Sequence, residues 1–221
     1  MSRIDQRAEL QRRQAGALAA RLDELLQLRG TERALDVGAG TGALAFALAP
    51  RVQSVVAVEI DEEAAGRARA DAPPNCEVVV GSGEELPFES FSFDLAATMR
   101  TLHHTAQPER VLSELVRVTA PGGTILVVDQ LAPTDPLAAV ELNQFERARD
   151  PSTTRILADA DMRGLFDANG LRLVRDRFDR EPRELEAYLD LAGCSGAARD
   201  EARSLVPRGY EALVGWYVLA R

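Results

Sequence analysis

The chain has 221 residues, 46% of them hydrophobic and 28% charged, with a net charge of −9. A globular chain of this length buries roughly 70% of its unfolded surface and needs no covalent staples. All 26 Lys-or-Arg positions are Arg, interleaved with acids and without a basic stripe, which argues against a nucleic-acid backbone as partner.

The first stretch, MSRIDQRAEL, is polar and does not read as a signal peptide. IDQRAELQRRQAGALAARLDELLQLRG predicts a helical arm over 1–30 that closes at Gly30. RALDV (33–37) is a short apolar run, followed by glycines and then by ALAFALAPRV with helical periodicity. SVVAVEI (54–60) predicts a second buried strand, and DEEAAGRARADA a helix capped by Asp61. CEVVVG (76–81), SFDLAATM (92–99) and TILVVDQ (124–130) predict three more strands. Between the last two lies PERVLSELVRVTA, an amphipathic helix stopped by PGG at 121–123. Strands alternating with helices at this spacing mean βαβ units, an α/β fold with a parallel sheet and helices on both faces.

Beyond residue 131 the alternation loosens. TDPLAAVELNQFERARD predicts a helix capped by Thr134, and DADMRGLFDANG another that closes at Gly170. LRLVRDRF reads as a strand, RELEAYLDLAGCSGAARDEARSLV as a helix broken near Gly193–Gly196, and YEALVGWYVLA as a final strand. No repeat or linker interrupts the chain, so 1–221 is expected to form one domain, with 135–169 and 183–206 as helical elaborations. No window approaches about 18 apolar residues, so no membrane span is expected. Cys76 and Cys194 match no metal spacing, as expected of free thiols in a reducing, cytoplasmic setting.

In an open α/β sheet, ligands bind at the carboxyl ends of the strands. LDVGAGTGALA occupies that place after the first strand, where Gly38, Gly40 and Gly42 let backbone N–H groups approach a ligand. Glu59 ends the second strand, where an acid accepts hydrogen bonds from ribose hydroxyls. Loop and acid together point to a nucleoside ligand. The spacing Gly38, Gly40, Ala43 also passes as a dinucleotide fingerprint, which leaves a nicotinamide-dependent oxidoreductase as an alternative. Asp36, two residues before the first glycine, repels a pyrophosphate and suits a ligand with positive charge. It equally suits a carboxylate that orders the loop through nearby N–H groups. S-adenosylmethionine (SAM) joins a nucleoside to an ammonium and a sulfonium. The complete absence of Lys removes dehydrogenase mechanisms that need one.

LDVGAGTG, VVAVEID, VVVGSGEELPFESFSFDLAATMRTLHH and LVRVTAPGGTILVVDQLAP resemble, in order, the blocks of class I SAM-dependent methyltransferases. The subgroup most similar is that of small-molecule ubiquinone/menaquinone-type enzymes, and the resemblance covers about 33–131. It implies a Rossmann-like, doubly wound seven-stranded sheet of order 3-2-1-4-5-7-6 with the last strand antiparallel. It also implies SAM as cofactor and a small-molecule methyl acceptor. Asp36, Gly38, Ala39, Gly40 and Gly42 would line the donor pocket, with Glu59 on the ribose and Ile60 against adenine. GSG falls where the family often has Gly-Asp-Ala; Ser82 replaces the acid, a weaker acceptor for the adenine amine, with Gly83 and Glu84 offering backbone groups. Met99 and Arg100 fall where the family contacts the methionine end. A SAM-binding protein without catalysis is the non-enzymatic alternative.

The only two histidines, His103 and His104, follow the fourth strand. Methyl transfer from a sulfonium gains most from alignment of the reactants, up to roughly 7–11 kcal/mol. A base is needed only when the acceptor arrives protonated. Neighbouring residues on a helix point about 100° apart, so at most one faces the site. His104 is the candidate base, and packing or a backbone hydrogen bond is the competing role for either. Asp129, ending the fifth strand, is a candidate to orient the acceptor, to act as a base, or to cap a loop. Metal binding is not expected, because adjacent histidines do not share an ion easily. Arg149 and Arg155 would pair with an acidic acceptor, or with Asp150 and surface acids. Nothing in the pattern identifies the acceptor or an oligomeric state.

Overall fold

The computed structural model describes residues 3–221. The elements run α1 (Arg3–Leu25), β1 (Arg33–Val37), α2 (Ala43–Leu48), β2 (Ser54–Glu59), α3 (Glu62–Asp71), β3 (Cys76–Val80), β4 (Phe93–Met99) and α4 (Pro108–Val118). They continue with β5 (Thr119–Leu131), α5 (Pro136–Arg149), α6 (Asp159–Ala168), β6 (Arg172–Glu181), α7 (Leu185–Leu191), α8 (Gly196–Leu205) and β7 (Ala212–Ala220). They build one seven-stranded sheet in the order β3-β2-β1-β4-β5-β7-β6, as the resemblance implies. β7 runs antiparallel to both β5 and β6; the other pairings are parallel.

The period of two in each strand divides the apolar residues between two faces. Ala34, Val55, Ala57, Leu95, Ala97, Leu126 and Val128 pack with α1, α2 and α3. Leu35, Val37, Val56, Val58, Ala96, Ile125 and Val127 pack on the other side, against Val111, Leu112, Leu115 and Val118 of α4 and Met162 and Phe166 of α6. A third apolar cluster, with Phe145, Leu189 and Ala202, joins α5, α7 and α8. β6 is an outer strand rich in charge, from Arg172 to Glu181, which discourages further pairing along that edge.

Several boundaries differ from the sequence reading. α1 ends at Leu25, and Gly30 sits in a turn where the Glu32 carboxylate accepts the N–H groups of Arg29, Gly30 and Thr31. That side chain gives the chain a stop independent of a glycine cap. The PGG segment lies inside β5, because the strand begins at Thr119, directly after α4. α5 is capped by Asp135, not Thr134: the Asp135 carboxylate accepts the Ala138 N–H at 2.9 Å, with Pro136 in the first helical position. Asp61 caps α3 through the Ala64 N–H, as read. Among the described residues no helix is long and apolar enough to cross a membrane.

Candidate active site

β1 ends in a loop whose shape is set by backbone hydrogen bonds to its neighbour. The N–H groups of Gly38 and Ala39 both donate to the Val58 carbonyl, at 2.8 and 3.0 Å. Gly38 has φ +74°, and a Cβ there would fall inside the Thr101 side chain, so only glycine fits. Gly40 has φ +56° and open space where a Cβ would stand. Its N–H donates to Glu59 Oε2 at 2.7 Å, while Glu59 Oε1 accepts the Asp61 N–H at 2.9 Å. The acid at the end of β2 is therefore aimed at the glycine loop by two backbone donors, with lone pairs left over. Gly42 leads into α2, and the Thr41 hydroxyl is hydrogen-bonded to Gln11 of α1, which lays that helix beside the loop.

Asp36 lies in β1 and is 1% exposed. Its Oδ2 accepts the Ala45 N–H at 3.0 Å, and its Oδ1 has no hydrogen-bond partner among the described residues. Burial pushes this carboxyl up to about 7; the Ala45 N–H opposes the rise and the Glu59 charge adds to it. Both roles read for Asp36 are thus compatible in one side chain, one oxygen ordering α2 and the other free.

The remaining donor-side candidates gather round the same edge. Gly81 N–H donates to the Glu59 carbonyl at 3.0 Å, bringing the next loop alongside. There the Ser82 hydroxyl accepts the Glu84 N–H at 3.1 Å, and Gly83 lies so close to Val37 that a Cβ would sit 2.6 Å from it. Ile60 is 70% exposed beside Glu59. Met99 is half-buried against the sheet core. Arg100 has φ +57°, and its guanidinium is held 2.6 Å from both oxygens of Glu181 on β6.

The histidine turn gives the two rings different surroundings. Asp129 is 2% exposed and wholly engaged: one oxygen meets His103 Nδ1 and the Gln130 N–H, the other accepts the His103 N–H at 3.1 Å. Burial would raise its carboxyl, but the His103 imidazole and these N–H groups hold it below the ordinary value. Asp129 thus holds the His103 ring, and its bonds to the His103 and Gln130 N–H groups fit the loop-capping role read for it. Among the described residues His103 Nε2 has no hydrogen-bond partner. His104 instead bonds Ser152 through Nδ1 at 3.0 Å. The Ser152 hydroxyl has one proton, donated to Asp150 at 2.6 Å, so His104 Nδ1 is the donor. Burial, and then the charge of His103, push His104 down to about 4, which makes it a weak base. Sequence alone did not separate the two, because burial here depends on the loop after α5: Thr154 N–H and hydroxyl both donate to the His103 carbonyl.

A second polar group was only partly legible. Arg149 is 7% exposed, not a surface residue, and its Nε donates to Glu146 Oε2 at 2.8 Å. Gln130, Tyr210 and Tyr188 also donate to the Glu146 carboxylate. Arg183 donates to Gln130 Oε1 at 3.0 Å. Burial would raise Glu146, but Arg149 and these hydrogen bonds hold it low, so it stays ionised. Arg155 pairs with Asp161 on the surface.

Residues 35–127 match the family model described as a methyltransferase domain. The chain is 34% identical to the uncharacterized methyltransferase YcgJ of Bacillus subtilis over 149 residues, 66% of this chain and 59% of that protein. It is 33% identical to the demethylmenaquinone methyltransferase of Clavibacter sepedonicus over 58% of this chain and 53% of that one. It thus spans between half and three-fifths of those two relatives. With the uncharacterized methyltransferase sll0829 of Synechocystis it shares 32% identity over 69% of this chain and 72% of the relative. The chain belongs to the class I SAM-dependent methyltransferase family. The solved structure of YcgJ has the same fold, with a TM-score of 0.85 over 93% of this chain and 97% of that one at 24% identity. Membership of that family removes the nicotinamide alternative. The pocket also fits a SAM-type donor on its own terms: a buried, unpartnered carboxylate oxygen on Asp36, an open cradle over Gly40, and a carboxylate at Glu59 with free lone pairs.

Proposed function

We propose that this enzyme methylates a small-molecule acceptor that arrives with a proton on the receiving atom, and that His103 removes that proton. SAM supplies a methyl group on a sulfonium, whose departure needs no acid. Asp36, Gly38, Ala39, Gly40 and Gly42 would hold its methionine end and backbone, Glu59 its ribose and Ile60 its adenine. Ser82, Gly83 and Glu84 would line the base, and Met99 and Arg100 the methionine side.

The observation that carries the reading is the His103–Asp129 couple at the carboxyl ends of β4 and β5. An ionised Asp129 only accepts, so His103 Nδ1 is the donor, and in the neutral imidazole Nε2 carries the lone pair. The couple is next to the donor pocket in the chain: Thr101 Oγ1 lies 3.3 Å from the carbonyls of both Val37 and Gly38. The segments 135–169 and 183–206 are read as the acceptor side of one domain. Free Cys76 and Cys194 suit a reducing, cytoplasmic setting.

The test begins with calorimetric titration of SAM, whose failure to bind would remove the donor assignment. Labelled SAM is then incubated with a metabolite extract, and the labelled product identifies the acceptor. With that acceptor, His103→Gln is expected to lower turnover about 10²–10⁴-fold at unchanged SAM affinity. Full turnover in that variant, with loss in His104→Gln, would reverse the assignment of the base.

A further inference from the structure

The first helix is unsupported in its middle. Arg12 to Ala17 are six consecutive exposed residues of α1. They cover about 1.7 turns, so every face of the helix meets solvent there. Gly16 lies in this stretch, with nothing within 4 Å of where a Cβ would stand. A glycine inside a helix weakens it at that point. Behind the stretch, Leu18, Leu22 and Leu25 pack into the core over the sheet. Ahead of it, residues 4–11 have one buried member, Ala8. This first half lies across the glycine loop between two supports. On one side Asp5 pairs with Arg67 of α3 at 3.8 Å, and Arg12 with Asp71 at 3.2 Å. On the other, Arg7 Nε donates to the Leu191 carbonyl of α7 at 3.2 Å, and its Nη2 to Asp150 Oδ2 at 3.5 Å. Between them the Thr41 hydroxyl of the glycine loop donates to Gln11. The loop is shut off from solvent by the chain itself: Ala39, Thr41 and Glu59 are 7%, 7% and 8% exposed.

We propose that residues 4–11 form a strap over the donor pocket, which swings on the 12–17 stretch to admit SAM and to release S-adenosylhomocysteine. The inference rests on the reading of the glycine loop as the donor site. A donor that touches Ala39 and Glu59 must reach surfaces the chain covers, so part of the cover moves. The first half of α1 is the part suited to moving. It buries one small apolar side chain, and the ties named above are hydrogen bonds and ion pairs with at least one partner near the surface, each of which contributes little. The anchored half stays in place through Leu22 and Leu25. Asp150 joins the strap to the other side of the site. Its Oδ2 faces Arg7, while its Oδ1 accepts the Ser152 N–H and hydroxyl, and Ser152 is bonded to His104. The latch therefore stands on the carboxylate that orders the loop beside the histidine turn, and one strap spans the donor and acceptor sides together.

The experiment follows SAM entering and leaving the whole chain by stopped flow, alongside limited cleavage with trypsin. Gly16→Ala strengthens the helix where there is open space for a methyl group, and it touches none of the strap's contacts. It is expected to slow entry and release about fivefold each, with equilibrium affinity unchanged. Arg7→Gln, which removes the charge facing Asp150, is expected to speed both about twofold or more. In the wild type, trypsin is expected to cut after Arg12 and Arg13 before it cuts after Arg21 in the anchored half. S-adenosylhomocysteine is expected to slow those first cuts several-fold. Unchanged rates in Gly16→Ala would overturn the strap. A change in release alone, with affinity shifted to match, would also overturn it, because that marks a fixed wall of the pocket. Cleavage after Arg13 that is indifferent to S-adenosylhomocysteine would overturn it without any variant having to fold. Failure of the wild type to bind SAM at all would overturn the donor assignment and the strap with it, whereas binding with unaltered rates in both variants overturns the strap alone.

Discussion

Asp36 accepts the Ala45 N–H through one oxygen and leaves the other sealed in the sheet without a partner. The first of these bonds ties β1 to the first turn of α2. The second oxygen has lost its water and gained nothing in the protein, which is why burial raises the carboxyl to about 7.

This shift sets a pH dependence of stability. The folded chain keeps the Asp36 proton at pH values where the unfolded chain, near its ordinary value of 3.8, has lost it. The resulting stabilisation is complete below about pH 4 and is lost as pH rises through about 7. Asp36→Asn is expected to remove that slope and to stabilise the ligand-free protein above pH 7, by on the order of 1 kcal/mol or more. The same variant is expected to bind SAM more weakly. Denaturant titrations at pH 5 and 8, with and without SAM, measure both; a slope that persists in Asp36→Asn would rule out this carboxyl as its source.

His104 acts in the opposite sense. Its folded value, pushed down to about 4, lies below the ordinary 6.5. The unfolded chain therefore takes up the proton first, and the contribution of His104 is present above pH 6.5 and lost as pH falls towards 4. His104→Asn is expected to flatten the acid limb of the stability profile. Because His104 is not placed as the base, its pH–rate profile with the identified acceptor is expected to keep the wild-type shape. Urea midpoints between pH 4 and 7 decide the first point.

Asp135 and Thr134 provide a paired test of a helix cap. Asp135→Ala is expected to destabilise the chain by about 1 kcal/mol, since it removes the acceptor for the Ala138 N–H. Thr134→Ala is expected to change stability little. Equal effects would show that the cap contributes nothing beyond the Pro136 start of α5.

Much of this architecture was legible from periodicity. β1 to β4 are apolar runs whose buried residues repeat every residue or every second residue, and local pattern determines them. Asp61 reads as a cap because its partner is three residues away, whereas Asp135 was missed because two adjacent residues both qualify. The glycine loop and Glu59 were legible because their contact follows from the topology of one βαβ unit. His103 and Glu146 were not. The partner of His103 is 26 residues away, and Glu146 meets Tyr210 across 64 residues. Contacts of that kind depend on how α5, α7 and the β6–β7 pair dock, which no local window records. Arg149 looked like a surface residue because its neighbours Arg147 and Asp150 are charged, yet α5 turns it inward.

The place of β7 has a consequence for how the molecule opens. Among the described residues β6 has no sheet neighbour except β7, with register from Arg172–Ala220 to Glu181–Ala212. Its amides cannot outlast those of β7 in hydrogen exchange, because unzipping the inner strand sets both adrift. Glu181 would leave with them, and the carboxylate that holds the Arg100 guanidinium would go at the same moment.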